Sequence, residues 1–188
     1  MPWRLTVGVP NDRAYLYLLR DRMLTRVDEV WSSDITYVPM RRGFMFLTTV
    51  IDGFSRYVLS WRLSNTLVTR FGLKALDEAL QQGQPEIFNT DQGSQFTSRE
   101  YTGRLETAGV AVSRDGRGQA LDNVFVERLG RSVKHNDIYI RDYKLIRDLE
   151  ADLTAYFLFY DEARPHQSLG YRTPGEVYRS GLEPANPG

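Results

Sequence analysis

Three acidic residues of the chain have the types and positions needed to bind a pair of divalent metal ions. Asp34 lies in the middle of a predicted strand that otherwise looks buried, Asp91 follows a short apolar segment, and Glu127 lies in a segment with helical periodicity. Carboxylate oxygens are hard ligands, which Mg²⁺ prefers. Two such ions about 3.5–4 Å apart can hold the attacking and leaving oxygens of an in-line displacement at phosphorus. Together the three carboxylates predict phosphoryl transfer with two Mg²⁺ or Mn²⁺ ions.

Each of these residues also has a simpler interpretation when it is taken alone. Asp34 could lie on an edge strand and face water, and Asp91 could be a turn residue before a glycine. Glu127 points nearly opposite the apolar stripe of its predicted helix and shares a face with Arg131 and Lys134. A solvated helix face with an ordinary ion pair would explain Glu127 on its own. The individual residues leave these alternatives open.

Five short segments have the patterns of β-strands. Strict alternation over residues 31–38 predicts a strand with Asp34, Thr36 and Val38 on one face. The nearly continuous apolar run at 44–51 is typical of a strand that is buried on both faces. Further strands are predicted at 56–63, 86–88 and 110–112. The short connections between the first three strands predict an antiparallel meander.

Helical segments alternate with the later strands. An amphipathic pattern predicts a helix that ends near Gly83, and Thr97 with Glu100 has the capping-box spacing at the start of a helix that ends at Gly109. Residues 114–119 have the composition of a polar, glycine-rich loop, and two helices are predicted at about 121–138 and 143–161. The order βββαβαβ followed by helices predicts an α/β fold in which helices flank a mixed five-stranded sheet.

The composition is that of a globular protein, with 41% hydrophobic and 26% charged residues among 188. No apolar run approaches the roughly 20 residues that span a bilayer, so no membrane partner is expected. The absence of cysteine excludes disulfides and thiolate metal sites and is consistent with a cytoplasmic location. Basic and acidic residues balance at 24 each, so any surface that binds nucleic acid must be a local patch.

Five segments of the chain, in order, resemble the integrase catalytic core of bacterial insertion-sequence transposases, which are relatives of retroviral integrases. These segments are WSSDITYV, IDGFSRYVLSW, NTDQGSQFTS, DNVFVERLGRSVKHNDIY and YDEARPHQSLGYRTPGEVY. Asp91 and Glu127 are separated by 35 residues, which is the spacing of that family's Asp-Asp-35-Glu motif. The resemblance covers roughly residues 28–178.

The resemblance implies an RNase H-like fold and a role for each matched residue. Asp34, Asp91 and Glu127 become the catalytic residues and the ligands of two Mg²⁺ or Mn²⁺ ions. Lys134 matches a basic residue that contacts substrate DNA. The further residues expected at the DNA are Arg131, Asn123, Arg114 and Arg117.

The resemblance also implies partners, a location and a domain organisation. The partners are DNA, as transposon ends and target, and further copies of the chain, and the location is the cytoplasm of a bacterium, at the nucleoid. Residues 29–178 are expected to form the core, 179–188 a tail containing proline and glycine, and 1–28 an extension. No helix-turn-helix pattern is evident in that extension, which leaves open a separate helix-turn-helix protein encoded by the same element.

Some features favour other interpretations. Gly130 stands where related sequences often carry a bulky aromatic residue, and a glycine within a helix costs about 1 kcal/mol relative to alanine. A helix loosened in this way suggests an alternative function, in which a truncated, poorly active core regulates by binding DNA or a transposase.

Asp52 competes with Asp34 as the first metal ligand, although its Asp-Gly-Phe-Ser setting favours a turn. His135 and His166 do not indicate a zinc site, and His166 is expected to order the chain after the last helix.

Overall fold

The computed structural model describes residues 23–67, 69–90, 96, 98–114, 124–133 and 141–183, and for residues 114 and 124–127 it describes the backbone. The strands are β1 (Val30–Pro39), β2 (Phe44–Asp52), β3 (Val58–Ser64), β4 (Ile87–Thr90) and β5 (Ala111–Arg114). The helices are α1 (Thr69–Leu80), α2 (Arg99–Thr107), α3 (Val124–Val133), α4 (Ile146–Glu162) and α5 (Pro174–Leu182), with a short 3₁₀ helix at Gln167–Leu169.

The five strands form one mixed sheet in the order β3-β2-β1-β4-β5. Strands β1, β2 and β3 pair antiparallel, whereas β4 pairs parallel to β1 and β5 pairs parallel to β4. The predicted five-stranded fold with an antiparallel meander is therefore confirmed. Strand β1 is central: it pairs with β2 along nearly its whole length and with β4 over its first four residues, Val30–Ser33.

The alternation of side chains along β1 divides the core into two layers. Trp31 packs on one face of the sheet with α1 and α2, in a cluster that includes Leu76 and Tyr101. Val38 packs on the other face with α3 and α4, in a cluster that includes Leu129. Because side chains on a strand alternate between faces, Asp34 belongs to the α3–α4 face with Val38.

One helix start differs from the sequence prediction, and one helix, α5, was not predicted. Helix α2 has Ser98 as its N-cap, in an extended conformation, and its hydroxyl accepts a hydrogen bond from the Tyr101 backbone N–H at 3.2 Å. The prediction of Thr97 as the cap was wrong by one position, because two adjacent hydroxyl residues can both cap a helix and the backbone selects one. Helix α5 starts with a capping box between Thr173 and Glu176. The helix continues to Leu182 and thus includes residue 178, where the sequence analysis placed the end of the core and the start of the tail.

Helix α5 is joined to the start of β1 by a buried aromatic contact. Tyr178 stacks on Tyr57 with ring centroids 4.8 Å apart, and its hydroxyl donates to Asp28 Oδ1 at 3.0 Å. The Trp31 indole N–H donates to the same carboxylate oxygen at 2.9 Å. These contacts hold the C-terminal helix to the end of the sheet. No helix in the described part of the chain is long and apolar enough to cross a membrane.

Helix α4 carries a buried carboxyl group that links the helix to the sheet. Asp161 Oδ1 accepts a hydrogen bond from the Val58 backbone N–H at 3.0 Å, at the start of the edge strand β3. Burial raises the pKa of Asp161 to about 8 from an ordinary value of 3.8. The hydrogen bond from Val58 opposes this rise without cancelling it. The folded chain therefore holds a proton here that the unfolded chain loses near pH 4.

This proton should make the stability of the fold depend on pH. As pH rises from about 4 to 8, the free energy of unfolding should fall, by up to about 1.4 kcal/mol per pH unit from this group. Asp161→Asn keeps an acceptor for Val58 and removes the titration. We therefore expect a flatter pH dependence for the variant than for wild type, measured by urea unfolding between about pH 5 and 8. Parallel curves for the two proteins would show that Asp161 does not carry the proton.

Candidate active site

Asp34 lies in the middle of the central strand and faces α3. Its Cα is paired with that of Thr49 across β2, and its side chain is half-buried. An aspartate in the interior of a sheet loses hydration that must be replaced by hydrogen bonds, by opposite charge or by a metal ion. The alternative of an edge-strand residue facing water is wrong, because β1 is the central strand and the Asp34 side chain is half-buried; Asp34 pairs with β2 and lies one residue beyond the pairing with β4.

Helix α3 approaches β1 closely at Gly130. A Cβ atom on Gly130 would lie 2.9 Å from Thr36 Oγ1, 3.8 Å from Thr36 Cβ and 4.0 Å from Asp34 Oδ2. The first of these distances is too short for a normal contact. Gly130 therefore allows the backbone of α3 to lie directly on the strand that carries Asp34. The glycine therefore has a packing role that the sequence did not indicate, beside the helix-propensity cost expected of it.

Strand β4 brings the chain to the same part of the sheet. Its last residue, Thr90, has Ser33 as its Cα partner on β1, one residue before Asp34. Ser33, Thr90 and the neighbouring Asn89 are all buried. Buried hydroxyl and amide groups are costly unless they are hydrogen-bonded, so polar residues concentrated at strand ends commonly support a functional site.

Asp52, the competing candidate for the first ligand, is a turn residue. Its Oδ2 accepts hydrogen bonds from the Ser55 backbone N–H at 2.7 Å and from the Ser55 hydroxyl at 2.6 Å, and its Oδ1 accepts from the Asp28 backbone N–H at 2.9 Å. Burial raises its pKa, and the bonds from Ser55 oppose that rise. The carboxylate holds the β2–β3 turn together and does not face α3. The prediction of a turn role is confirmed.

The remaining predicted site residues are described to different extents. Asp91, Arg117, Asn123, Lys134 and His135 lie outside the described residues. Glu127 lies in α3, three residues before Gly130, and its backbone is described. The described residues contain no group of three or more potential metal ligands, and Asp34 is the one member of the predicted triad whose side chain they include.

Arg114, Arg131 and His166 are described at least in part. Arg114 is the last residue of β5, paired with Thr90, so its assignment to the loop was wrong, because β5 extends two residues beyond the predicted strand. Arg131 is exposed on α3. The backbone of His166 forms an isolated β-bridge with Arg172, which bears out its expected role in ordering the chain after α4.

Comparison with known proteins places these elements in a family. A family model described as "Integrase core domain" matches residues 25–120, and a second model with the same description matches residues 108–174.

The chain is 31% identical over 163 residues to the transposase for insertion sequence element IS629 of Shigella sonnei, covering 86% of this chain and 55% of that protein. It is also 31% identical over 166 residues to the putative transposase InsK for IS150 of Escherichia coli, covering 87% of this chain and 58% of that protein. The chain thus spans little more than half the length of these relatives.

A solved structure resembles the chain over most of the fold. It is the HTLV-2 integrase catalytic core domain in complex with magnesium, in its trimeric form. The TM-score is 0.69 at 19% sequence identity, with 84% of this chain and 99% of that chain covered. At this identity the likeness concerns the fold.

Proposed function

The chain belongs to the integrase core domain family and has its RNase H-like fold, and from this we propose that it is the catalytic core of a bacterial DNA transposase. The proposed reaction consists of two displacements at phosphorus. In the first, water cleaves a phosphodiester at the end of the element and frees a 3′-hydroxyl. In the second, that hydroxyl attacks a phosphodiester of the target, so that one P–O bond breaks as the joining bond forms.

The observation that carries this proposal is the position of Asp34. Its half-buried carboxylate lies on the central strand, beneath a helix that packs closely on this strand at Gly130 and whose first turn contains Glu127. Strand β4 ends opposite Ser33, and the chain continues from there to Asp91. This register supports Asp91 as a second member of the same site.

The donor chemistry is suitable for two Mg²⁺ or Mn²⁺ ions. Asp34, Asp91 and Glu127 would supply carboxylate oxygens, which are hard ligands, and the chain has no cysteine to favour a softer metal. The half-buried position of Asp34 suits a ligand that must remain accessible to substrate. Such ions, when bound, activate an attacking oxygen and stabilise a leaving one.

The basic residues of the site would hold the DNA backbone. Arg131 is exposed on α3, and we propose that Arg131 and Lys134 bind phosphates next to the reacting bond. We assign additional contacts with the DNA to Asn123, Arg114 and Arg117. These residues would position the strand for attack without forming a covalent intermediate with the protein.

We further propose that the active form is a homo-oligomer that acts at the bacterial nucleoid. Joining two transposon ends to one target requires that two catalytic cores be held together. The relatives from Shigella and Escherichia are longer than this chain, so recognition of the ends is assigned to another part of the transposase or to a separate helix-turn-helix protein.

A strand-joining assay tests the proposal. The substrate is a pre-nicked DNA duplex carrying an end of the flanking element, incubated with Mg²⁺, with Mn²⁺ or with a chelator. We expect joined products that require the metal and that are lost in Glu127→Gln. Absence of product from protein that is folded and bound to DNA would contradict catalysis and favour the alternative of a DNA-binding regulator.

A further inference from the structure

Two arginines and a histidine surround Tyr160 near the end of α4. The Arg164 guanidinium carbon lies 5.8 Å from the centre of the Tyr160 ring, and the His166 ring packs edge-on against it with centroids 5.0 Å apart. Arg56 reaches the same place from the β2–β3 turn, where its Nη1 donates to Ser168 Oγ. All three side chains are half-buried, so the charges of the two arginines are only partly screened by water.

Helix α3 adds a further arginine and a hydrogen bond to this group. Arg128 is exposed and lies one helical turn before Ser132 on the same side of α3. Burial, and then the charge of Arg128, lower the pKa of Arg56. Arg164 Nη1 donates to Ser132 Oγ on α3 at 2.8 Å. We refer to Arg56, Arg128, Arg164 and His166 as the cationic cluster.

Two acids of the described part of the chain, Asp161 and Glu162, lie near the cationic cluster and have other partners. The Asp161 carboxyl group accepts from the Val58 backbone N–H. Both oxygens of Glu162 are held by Arg179, at 2.8 and 2.7 Å. Neither Arg128 nor Arg164 forms an ion pair with an acid in the described part of the chain.

His166 shows that the cluster has an unused hydrogen-bonding position. Its Nε2 is buried, and no partner for that nitrogen is present among the described residues. Burial, and then the charges of Arg164 and Arg56, lower the pKa of His166. An anion among these side chains would accept hydrogen bonds and offset their mutual repulsion.

One member of the cationic cluster, Arg128, lies on the helix that carries the candidate active site. Arg128 directly follows Glu127 in α3, and Gly130 of the same helix lies against Asp34 and Thr36. We propose that the cationic cluster is a phosphate-binding site for the DNA strand as it passes from the active site over α3 towards the segment after α4. This inference rests on the proposed function. Arginine suits the task because its planar fork can bind two phosphate oxygens at once.

The salt dependence of DNA binding tests this inference. The probe is a fluorescein-labelled, mixed-sequence DNA duplex, titrated with the full chain at several salt concentrations and followed by fluorescence anisotropy. Each lost phosphate contact should reduce the slope of log K against log salt by about 0.9. Arg128→Gln/Arg164→Gln should therefore lower the slope by about 2 and raise Kd at least about tenfold.

Two controls separate this effect from misfolding and from net charge. Arg70→Gln/Lys74→Gln removes the same charge from exposed positions on α1, on the opposite face of the sheet, and should leave the slope at its wild-type value. Arg128→Gln alone removes an exposed side chain, so its thermal midpoint should equal that of wild type while its slope falls by about 0.9.

The outcomes distinguish this inference from the proposed function. Equal slopes for wild type and the Arg128→Gln/Arg164→Gln variant would overturn the inference and leave the proposed function standing. Equal losses in the cluster variant and in the α1 variant would also overturn it, since the effect would then be one of net charge. Failure of the folded wild-type chain to bind duplex DNA would overturn both.

Discussion

Asp34→Asn is expected to abolish strand joining while leaving the chain folded. Asparagine keeps the size of the side chain on β1 and removes the negative charge that would hold a divalent cation. Because metal ions supply several kcal/mol of charge stabilisation in such displacements, we expect a loss of at least about a thousandfold. The measurement is joined product per unit time in Mg²⁺, with the fold checked by circular dichroism.

Asp52→Asn is the matched control, because it makes the same chemical change at the competing aspartate. The Asp52 carboxylate accepts three hydrogen bonds in the β2–β3 turn, and an amide NH₂ in place of one oxygen would face a donor. This variant should lose about 1–3 kcal/mol of stability. The Asp52→Asn variant should retain strand joining at temperatures where it is folded.

Strand joining by Asp34→Asn at the wild-type rate would show that Asp34 is not a metal ligand.

The elements that carry the site could be predicted from the sequence because their signals are local. Period-two alternation around Asp34 gave the strand and the face of its side chain, and the structure bears out both. The short connection through Asp52 gave the turn between β2 and β3. These predictions depend on residues within a few positions of each other, where backbone sterics and burial act directly.

Contacts between distant segments could not be predicted in this way. By sequence alone, Gly130 is only a residue that destabilises a helix. Its role in packing becomes visible when α3 is seen to lie on Thr36, which is 94 positions earlier in the chain. The raised pKa of Asp161 likewise depends on the packing of α4 over the start of β3. The cationic cluster collects Arg56 from a turn, Arg128 from α3 and two residues that follow α4. None of these groupings has a local sequence pattern.

The packing of Gly130 against Thr36 leads to a second large expected effect. Alanine at position 130 gains about 1 kcal/mol of helix propensity, whereas the overpacked Cβ costs about 1–3 kcal/mol, so the free energy of unfolding should fall by no more than about 2 kcal/mol. Relief of the 2.9 Å contact requires α3 or Thr36 to move. Since α3 also carries Glu127, and a displacement of about 1 Å can cost about a hundredfold in rate, Gly130→Ala should reduce strand joining by about 10–100-fold.

Thr36→Ala provides the means to attribute that loss to one contact. It removes Oγ1, so the shortest remaining distance from a Cβ at position 130 to Thr36 is the ordinary 3.8 Å to Cβ. Gly130→Ala/Thr36→Ala should therefore recover most of the strand-joining activity.

Gly103→Ala is the control for helix propensity, because Gly103 lies in α2 and a Cβ atom added there would have no atom of another segment within 4 Å. It should raise the thermal midpoint without changing activity. A double variant as impaired as Gly130→Ala alone would mean that the spacing of α3 and β1 at Thr36 does not set the geometry of the active site.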